Sequence, residues 1–216
     1  MQTDTRVRKR EGAIGVEGSN GKNSGDSSST AEILIGNAFT RWIVRRRPRL
    51  FLLVPIILIL VAQPTIPGIV IGGVLVGIGL AIRIWASGFV DKSHSVACSG
   101  PYALVRHPLY TGTIFVMFGW CFVSSHLITS ITVTVFTLLI FGVSMYWEER
   151  FMSKLFPDTY EKYMQGIPRL LPYRFKKSFK TQAKFSWEQV TINREQSSAF
   201  WMILATTLIA ARWFIF

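Results

Sequence analysis

Cysteine, histidine and acidic side chains are all scarce in this chain, and each shortage closes a class of function. Two cysteines among 216 residues, Cys98 and Cys121, have neither CxxC spacing nor a nearby partner set, so there is no disulfide framework and no zinc site to infer. No metal site is expected. A Rossmann-type glycine fingerprint is also missing, which argues against a soluble dinucleotide domain. The first 30 residues lack the apolar core of a secretory signal peptide. They are poor in aromatics and rich in Gly, Ser, Asn and charge, so burial cannot offset their ordering entropy, and a disordered tail over 1–40 is expected.

Charge itself is absent from two long stretches. Residues 50–82 carry none, and neither do residues 110–147. Each stretch is long enough to be split into two helices of about 17–20 residues, roughly the length that crosses a hydrocarbon core. Gln63-Pro64-Thr65-Ile66-Pro67 breaks the first, and Ser124-Ser125-His126 punctuates the second. The spans expected are about 50–66, 68–88, 110–124 and 127–147, within a core of 41–172. A basic linker over 173–196 and a fifth apolar helix over 197–216 follow. A soluble domain does not accommodate two uncharged runs of this length. The expected fold is all-α, a polytopic transmembrane helix bundle, multi-pass in the membrane.

The charges that remain are placed asymmetrically. With 24 basic and 12 acidic residues a soluble protein would invite a nucleic-acid reading, but no aromatic-interleaved basic surface accompanies the charge, and no nucleic acid is expected. Instead Arg41, Arg45, Arg46, Arg47 and Arg49 precede the first span, while Arg169, Arg174, Lys176, Lys177, Lys180 and Lys184 follow the fourth. The two intervening turns hold no Lys or Arg. The positive-inside bias therefore puts the N-terminus, the segment 89–109 and the segment 148–196 in the cytosol, with the basic clusters against anionic headgroups of membrane lipids. In the second span, Gly68 and Gly72, then Gly73 and Gly77, repeat at four, a spacing that lets helices approach closely in lipid.

Two polar segments then share the cytosolic side. In "GPYALVRHPLYTG", residues 100–112, Pro101 and Pro108 disfavour continuous helix and would leave backbone groups available to a ligand. In "WEERFMSKLFPDTYEKYMQGIPRLLP", residues 147–172, Glu148 and Glu149 stand where a helix leaves the bilayer. Pro157 interrupts that helix, and Tyr160 and Tyr163 share a face of the next one. Each feature alone has an ordinary reading: solvated interfacial carboxylates, a structural His107, an aromatic belt of Tyr102, Tyr110 and Trp147. Their joint presence on one face marks a candidate site.

These two motifs, with the hairpin between them, resemble the integral-membrane methyltransferases typified by isoprenylcysteine carboxyl methyltransferase, with the phospholipid N-methyltransferases as relatives. The resemblance covers roughly residues 68–172. "RHPxYxG" alone also resembles membrane sterol reductases; the double Glu followed by "F…Y..Y" is the methyltransferase feature. The resemblance implies S-adenosylmethionine as cofactor, with contacts from His94, Ser95, Val96, Ala97, Tyr102, His107, Pro108, Leu109, Tyr110 and Glu148. It also implies a lipophilic substrate entering from the bilayer, and His107, Arg106 and Glu149 as candidate catalytic groups. The isoprenylcysteine enzymes carry an arginine, implicated in substrate binding, one helical turn before the cofactor glutamate. This chain has Ser144 at that substrate-binding position, which points to a neutral or cationic acceptor unless Arg83 or Arg106 takes over. An NADPH-dependent reductase of sterol-like substrates and a non-enzymatic membrane scaffold are the other two readings. The topology has a direct check: single cysteines introduced at Lys92 and at Lys177 are expected to react with impermeant reagents from the cytosolic side only, and labelling of either from outside overturns the orientation.

Overall fold

The computed structural model describes residues 38–90, 96–173 and 183–215. The N-terminal tail, His94, Ser95 and most of the second basic cluster lie outside them. The elements are helices: α1 Ala38–Val61, α2 Ile66–Ser87, a 3-10 turn Gly100–Ala103, α3 Pro108–Ser124, α4 Leu127–Leu155, α5 Pro157–Gly166, α6 Trp187–Ile192 and α7 Glu195–Ala211. Among the described residues there is no strand, and the fold is all-α.

Proline and capping residues explain the boundaries. Pro67, Pro108 and Pro157 each stand in the first turn of α2, α3 and α5, where a missing N–H costs nothing. The Thr65 hydroxyl accepts from Gly68 N at 3.2 Å, and His126 caps α4 through Nδ1, 3.4 Å from Thr129 N. Between α3 and α4 the chain turns at Ser125, a left-handed residue with φ 51°. Helix α4 continues past the uncharged run to 29 residues, about 44 Å at 1.5 Å per residue. Glu148, Phe151, Met152 and Leu155 are therefore carried on a rigid continuation of a span.

Three segments are long and apolar enough to cross a membrane by length and composition: Ile66–Ser87, Leu127–Leu155 and Glu195–Phe214. Helix α3 and the segment Phe51–Val61 of α1 are shorter apolar helices. One face of each is buried in a common core that includes Leu58, Val76, Val116, Trp120 and Ile209. The opposite face remains apolar, as at Val70, Val74 and Ile78 of α2, each more than 40 % exposed, the distribution expected where lipid replaces water as the solvent. Trp120 Nε1 donates to Thr206 Oγ1 of α7 at 2.8 Å.

Helices α2 and α3 run antiparallel with backbones nearly touching. A β-carbon on Gly112 would lie 2.7 Å from the Gly79 carbonyl oxygen, and one on Gly119 would lie 2.6 Å from that of Gly72. The two pairs are one heptad apart on each helix, so they set the register of the hairpin. Gly68 faces the Phe122 carbonyl, whereas Gly73 and Gly77 face open space. The four-residue repeat thus divides: Gly68 and Gly72 pack, Gly73 and Gly77 do not, and Gly79 joins the packed set. Gly112→Val is expected to lower the thermal midpoint in detergent by the equivalent of about 1–3 kcal/mol. Gly73→Ala, in open space on a helix, should be neutral or raise it by up to about 1 kcal/mol. Equal effects of the two would contradict the glycine register.

Candidate functional site

A cavity of about 370 Å³ opens where the end of α2, the loop before α3 and the continuation of α4 meet α5. Of the residues expected to hold a cofactor, Val96, Ala97, Tyr102, His107, Pro108, Leu109, Tyr110 and Glu148 all line it, together with Arg106. His94 and Ser95 fall outside the described residues. The remaining wall is apolar and aromatic: Val90 from the end of α2, Phe151, Met152 and Leu155 from α4, Phe156, and Tyr160 and Tyr163 from α5. Segments far apart in sequence are joined here because α3 and α4 form a hairpin that returns to its starting level.

The two adjacent glutamates have different surroundings. Glu148 faces the cavity and accepts a hydrogen bond from the Tyr110 hydroxyl at 2.7 Å. Glu149 is 5 % exposed and does not line the cavity. Its Oε1 lies 2.9 Å from Arg106 Nη1 and 3.2 Å from His107 Nε2, and Arg169 reaches both oxygens, with Nη2 2.7 Å from Oε2. A carboxylate can only accept, so Nε2 of His107 carries the proton. Three cationic or donating side chains thus converge on one buried anion, which satisfies the charge that burial would otherwise penalise. As a candidate catalytic group, Glu149 is placed to fix His107 and Arg106, not to exchange protons with a ligand in the cavity.

Arg169 was read from the sequence only as a topological charge. It belongs to a strap after α5 that lies alongside the loop: Arg106 N donates to Pro168 O at 2.7 Å, His107 N to Arg169 O at 3.0 Å, and Thr111 Oγ1 to Leu170 O at 3.1 Å. The amides of Tyr102, Leu104 and Val105 are used within the loop itself. The expectation that the proline-bent loop leaves its amides for a ligand is therefore not met from Leu104 to His107; side chains, not amides, face the cavity there. From α5, the Tyr163 hydroxyl donates to Tyr102 O at 2.7 Å. Burial pushes the phenols of Tyr102 and Tyr163 well above their usual range, and that of Tyr160 up to about 12, so all three remain protonated donors.

Ser144 is fully buried and is not among the cavity-lining residues; its hydroxyl has no hydrogen-bond partner among the described residues. Neither arginine considered as its substitute is uncommitted. Arg83 forms a two-point ion pair with the buried Glu195, Nε–Oε1 2.7 Å and Nη2–Oε2 3.0 Å, and its Nη1 also donates to Thr113 Oγ1. Arg106 is paired with Glu149, though its Nε is buried without a partner among the described residues. Glu195 opens the last helix, and nothing in its local sequence signals a partner more than a hundred residues earlier.

Residues 69–159 match the family described as phospholipid methyltransferase. The matched segment is less than half of the chain. Similar curated proteins include a cobalt-zinc-cadmium resistance protein of Cupriavidus metallidurans, 26 % identical over 45 % of this chain and 47 % of that protein. A protein-S-isoprenylcysteine O-methyltransferase of Schizosaccharomyces pombe is 27 % identical over 38 % of this chain and 35 % of its own length. Methanethiol S-methyltransferase 1 of Bradyrhizobium diazoefficiens is 33 % identical over 34 % and 25 %. The chain thus spans less than half the length of each of these relatives. No solved structure matches it. The apolar helices together with this similarity make the chain an integral membrane protein. The segment contains the cavity residues from Val90 to Phe156, and it ends before Tyr160, Tyr163, Arg169 and Glu195.

The contrast between the neighbouring carboxylates can be tested. Glu149→Gln leaves Arg106 and Arg169 facing one another and is expected to destabilise the ligand-free protein by about 3–5 kcal/mol. Arg169→Ala, whose side chain is 55 % exposed, should cost about 1 kcal/mol or less. Glu148→Gln should leave the midpoint nearly unchanged. Thermal unfolding in detergent checks the order, and equal losses at positions 148 and 149 would refute it.

Proposed function

We propose that this chain is a membrane methyltransferase that uses S-adenosylmethionine and methylates a lipophilic acceptor at the cytosolic end of its helix bundle. The observation that carries the reading is the cavity, where a carboxylate and several aromatic faces stand beside an apolar wall continuous with a membrane span. The residues fit the donor chemically. Aromatic faces and the Glu148 carboxylate tolerate a sulfonium cation, and Glu148 can also accept from ribose hydroxyls or an ammonium. The Nε of Arg106, buried beside the cavity without a partner among the described residues, is a donor that a ligand carboxylate would satisfy. When bound, the donor supplies an electrophilic methyl whose carbon–sulfur bond breaks as the acceptor's lone pair attacks in line.

The protein's part is mainly to position and to exclude water. Holding both partners in reach can supply much of the rate without a covalent intermediate. Tyr110 orients Glu148, and the Glu149 cluster holds His107 at the cavity wall with Nε2 protonated and Nδ1 as the remaining ring position. A protonated amine or a thiol acceptor must lose its proton, and His107 is the candidate base for that step.

Charge pairing narrows the acceptor. Arg83, Arg106 and Arg169 all have carboxylate partners within the protein, while Glu148 faces the cavity. An anionic acceptor would meet the Glu148 carboxylate while the guanidinium in the wall, Arg106, is already paired with Glu149, and like-charge juxtapositions cost several kcal/mol. We therefore read the acceptor as neutral or cationic, a thiol or an amine with an apolar body, and not a prenylcysteine carboxylate. Two experiments test this. S-adenosylhomocysteine at a hundredfold excess over its Kd should stabilise the detergent-solubilised protein by about 2.7 kcal/mol, whereas NADPH should not; the reverse result would favour the reductase reading. In a labelled-methyl assay, small lipophilic thiols or amines should exceed a farnesylcysteine analogue by at least about tenfold in kcat/KM, a difference near 1.4 kcal/mol. Efficient turnover of the farnesylcysteine analogue would overturn the acceptor assignment.

A further inference from the structure

The corner between α6 and α7 lies outside the family-matched segment, yet it grips the element from which the cavity wall departs. The Asn193 side-chain amide donates to two carbonyls at once, Ser87 O at 2.9 Å and Val90 O at 3.1 Å. Only an NH2 group can serve two acceptors in this way, so the orientation of the amide follows from its partners. Ser87 is the last residue of α2, and its carbonyl belongs to the set that a helix end leaves without an intrahelical partner. Val90 lines the cavity.

The neighbours of Asn193 reinforce the grip. Ser186 N donates to Gly88 O at 3.0 Å, and the Phe185 ring packs so closely on Gly88 that no β-carbon would fit between them. Arg194 adopts the left-handed conformation, φ 55°, a rare state for a residue with a side chain. That turn lets Asn193 reach the end of α2 while Glu195, two residues on, pairs with Arg83 one turn earlier on the same helix. Each end of this three-residue corner is thus bonded to α2, and the unusual backbone between them persists because both ends are held.

We propose that Asn193 is a positioning residue for the methyl-donor cavity, holding the Val90 carbonyl and thereby the wall formed where α2 ends. The proposal rests on the donor-binding reading of that cavity. It assigns the C-terminal helix a role in setting donor affinity from a part of the chain that the family match does not cover.

The test uses the full-length protein in detergent or nanodiscs. Asn193→Asp keeps the shape and removes both donors, and Asn193→Ser keeps one. Hydrogen exchange of the ligand-free protein should quicken across 84–90 in Asn193→Asp, with α3 unchanged. The KM for S-adenosylmethionine and the Kd for S-adenosylhomocysteine should rise on the order of tenfold, with kcat and the acceptor KM within about twofold, and Asn193→Ser should fall between. Should Asn193→Asp fail to fold, the same measurements on Asn193→Ser decide. Unchanged exchange, unchanged donor affinity, or a parallel rise of both KM values with a fall in kcat overturns the proposal. Wild type that fails to bind S-adenosylhomocysteine, with exchange at 84–90 still altered by the substitution, retains the grip on Val90 but overturns the donor reading.

Discussion

An anion buried within a protein must be neutralised by its neighbours, and Glu149 is that anion here. Its two oxygens draw Arg106 and His107 from the loop before α3 and Arg169 from the strap after α5. Those contacts add a specific geometry to segments that also share an apolar cluster of Val96, Cys98, Tyr160, Tyr163 and Ile167. Once they meet, Arg106 and His107 also pair through their backbone amides with the strap, and the loop has one conformation to present. The neighbouring Glu148, a single residue away on the same helix, points into the cavity because a helix turns successive side chains by about 100°.

The scaffold that holds this cluster is assembled by a different force. Within lipid the hydrophobic effect does not bring helices together, so shape decides, and the paired glycines of α2 and α3 let the backbones approach within reach of each other's carbonyls. That fixes how far Pro108 and the loop before it stand from the end of α2. The Arg83–Glu195 pair then docks the last helix onto the hairpin. Polar contacts at the cavity end and glycine contacts within the apolar helices therefore have separate duties: the first specify which segments meet, and the second set the distances.

The proposed function accounts for the division of the cavity wall. A polar, positively charged methyl donor has no stable place in hydrocarbon, and a lipophilic acceptor has none in water, so a site serving both would need polar groups and an apolar wall within one small volume. Helix α4 supplies both because it continues out of its apolar stretch without a break. The same helix that is apolar from Ile131 to Phe141 carries Glu148 and then Phe151, Met152 and Leu155 along the cavity.

The all-helical, apolar character of the chain, the breaks between its helices and the two motifs that line the cavity were legible in the sequence. Charge depletion and proline placement are local properties, and lipid solvation acts on them locally. The candidate cavity residues from Val96 to Glu148 were legible for a related reason, since they sit in compact motifs of unusual composition. Ser144 shows the limit: it stands one helical turn before Glu148, where the resembled enzymes carry an arginine, but only packing decides which residues reach a cavity and which are sealed in the bundle. Arg169 looked like a topological charge, and Arg83 like a cation open to a substrate, because a sequence does not show which cations will find a carboxylate. The partners of Glu149, the choice of Gly79 over Gly77, and the reach of Asn193 to Val90 were decided by tertiary structure alone, because each depends on contacts between segments that are distant in the chain.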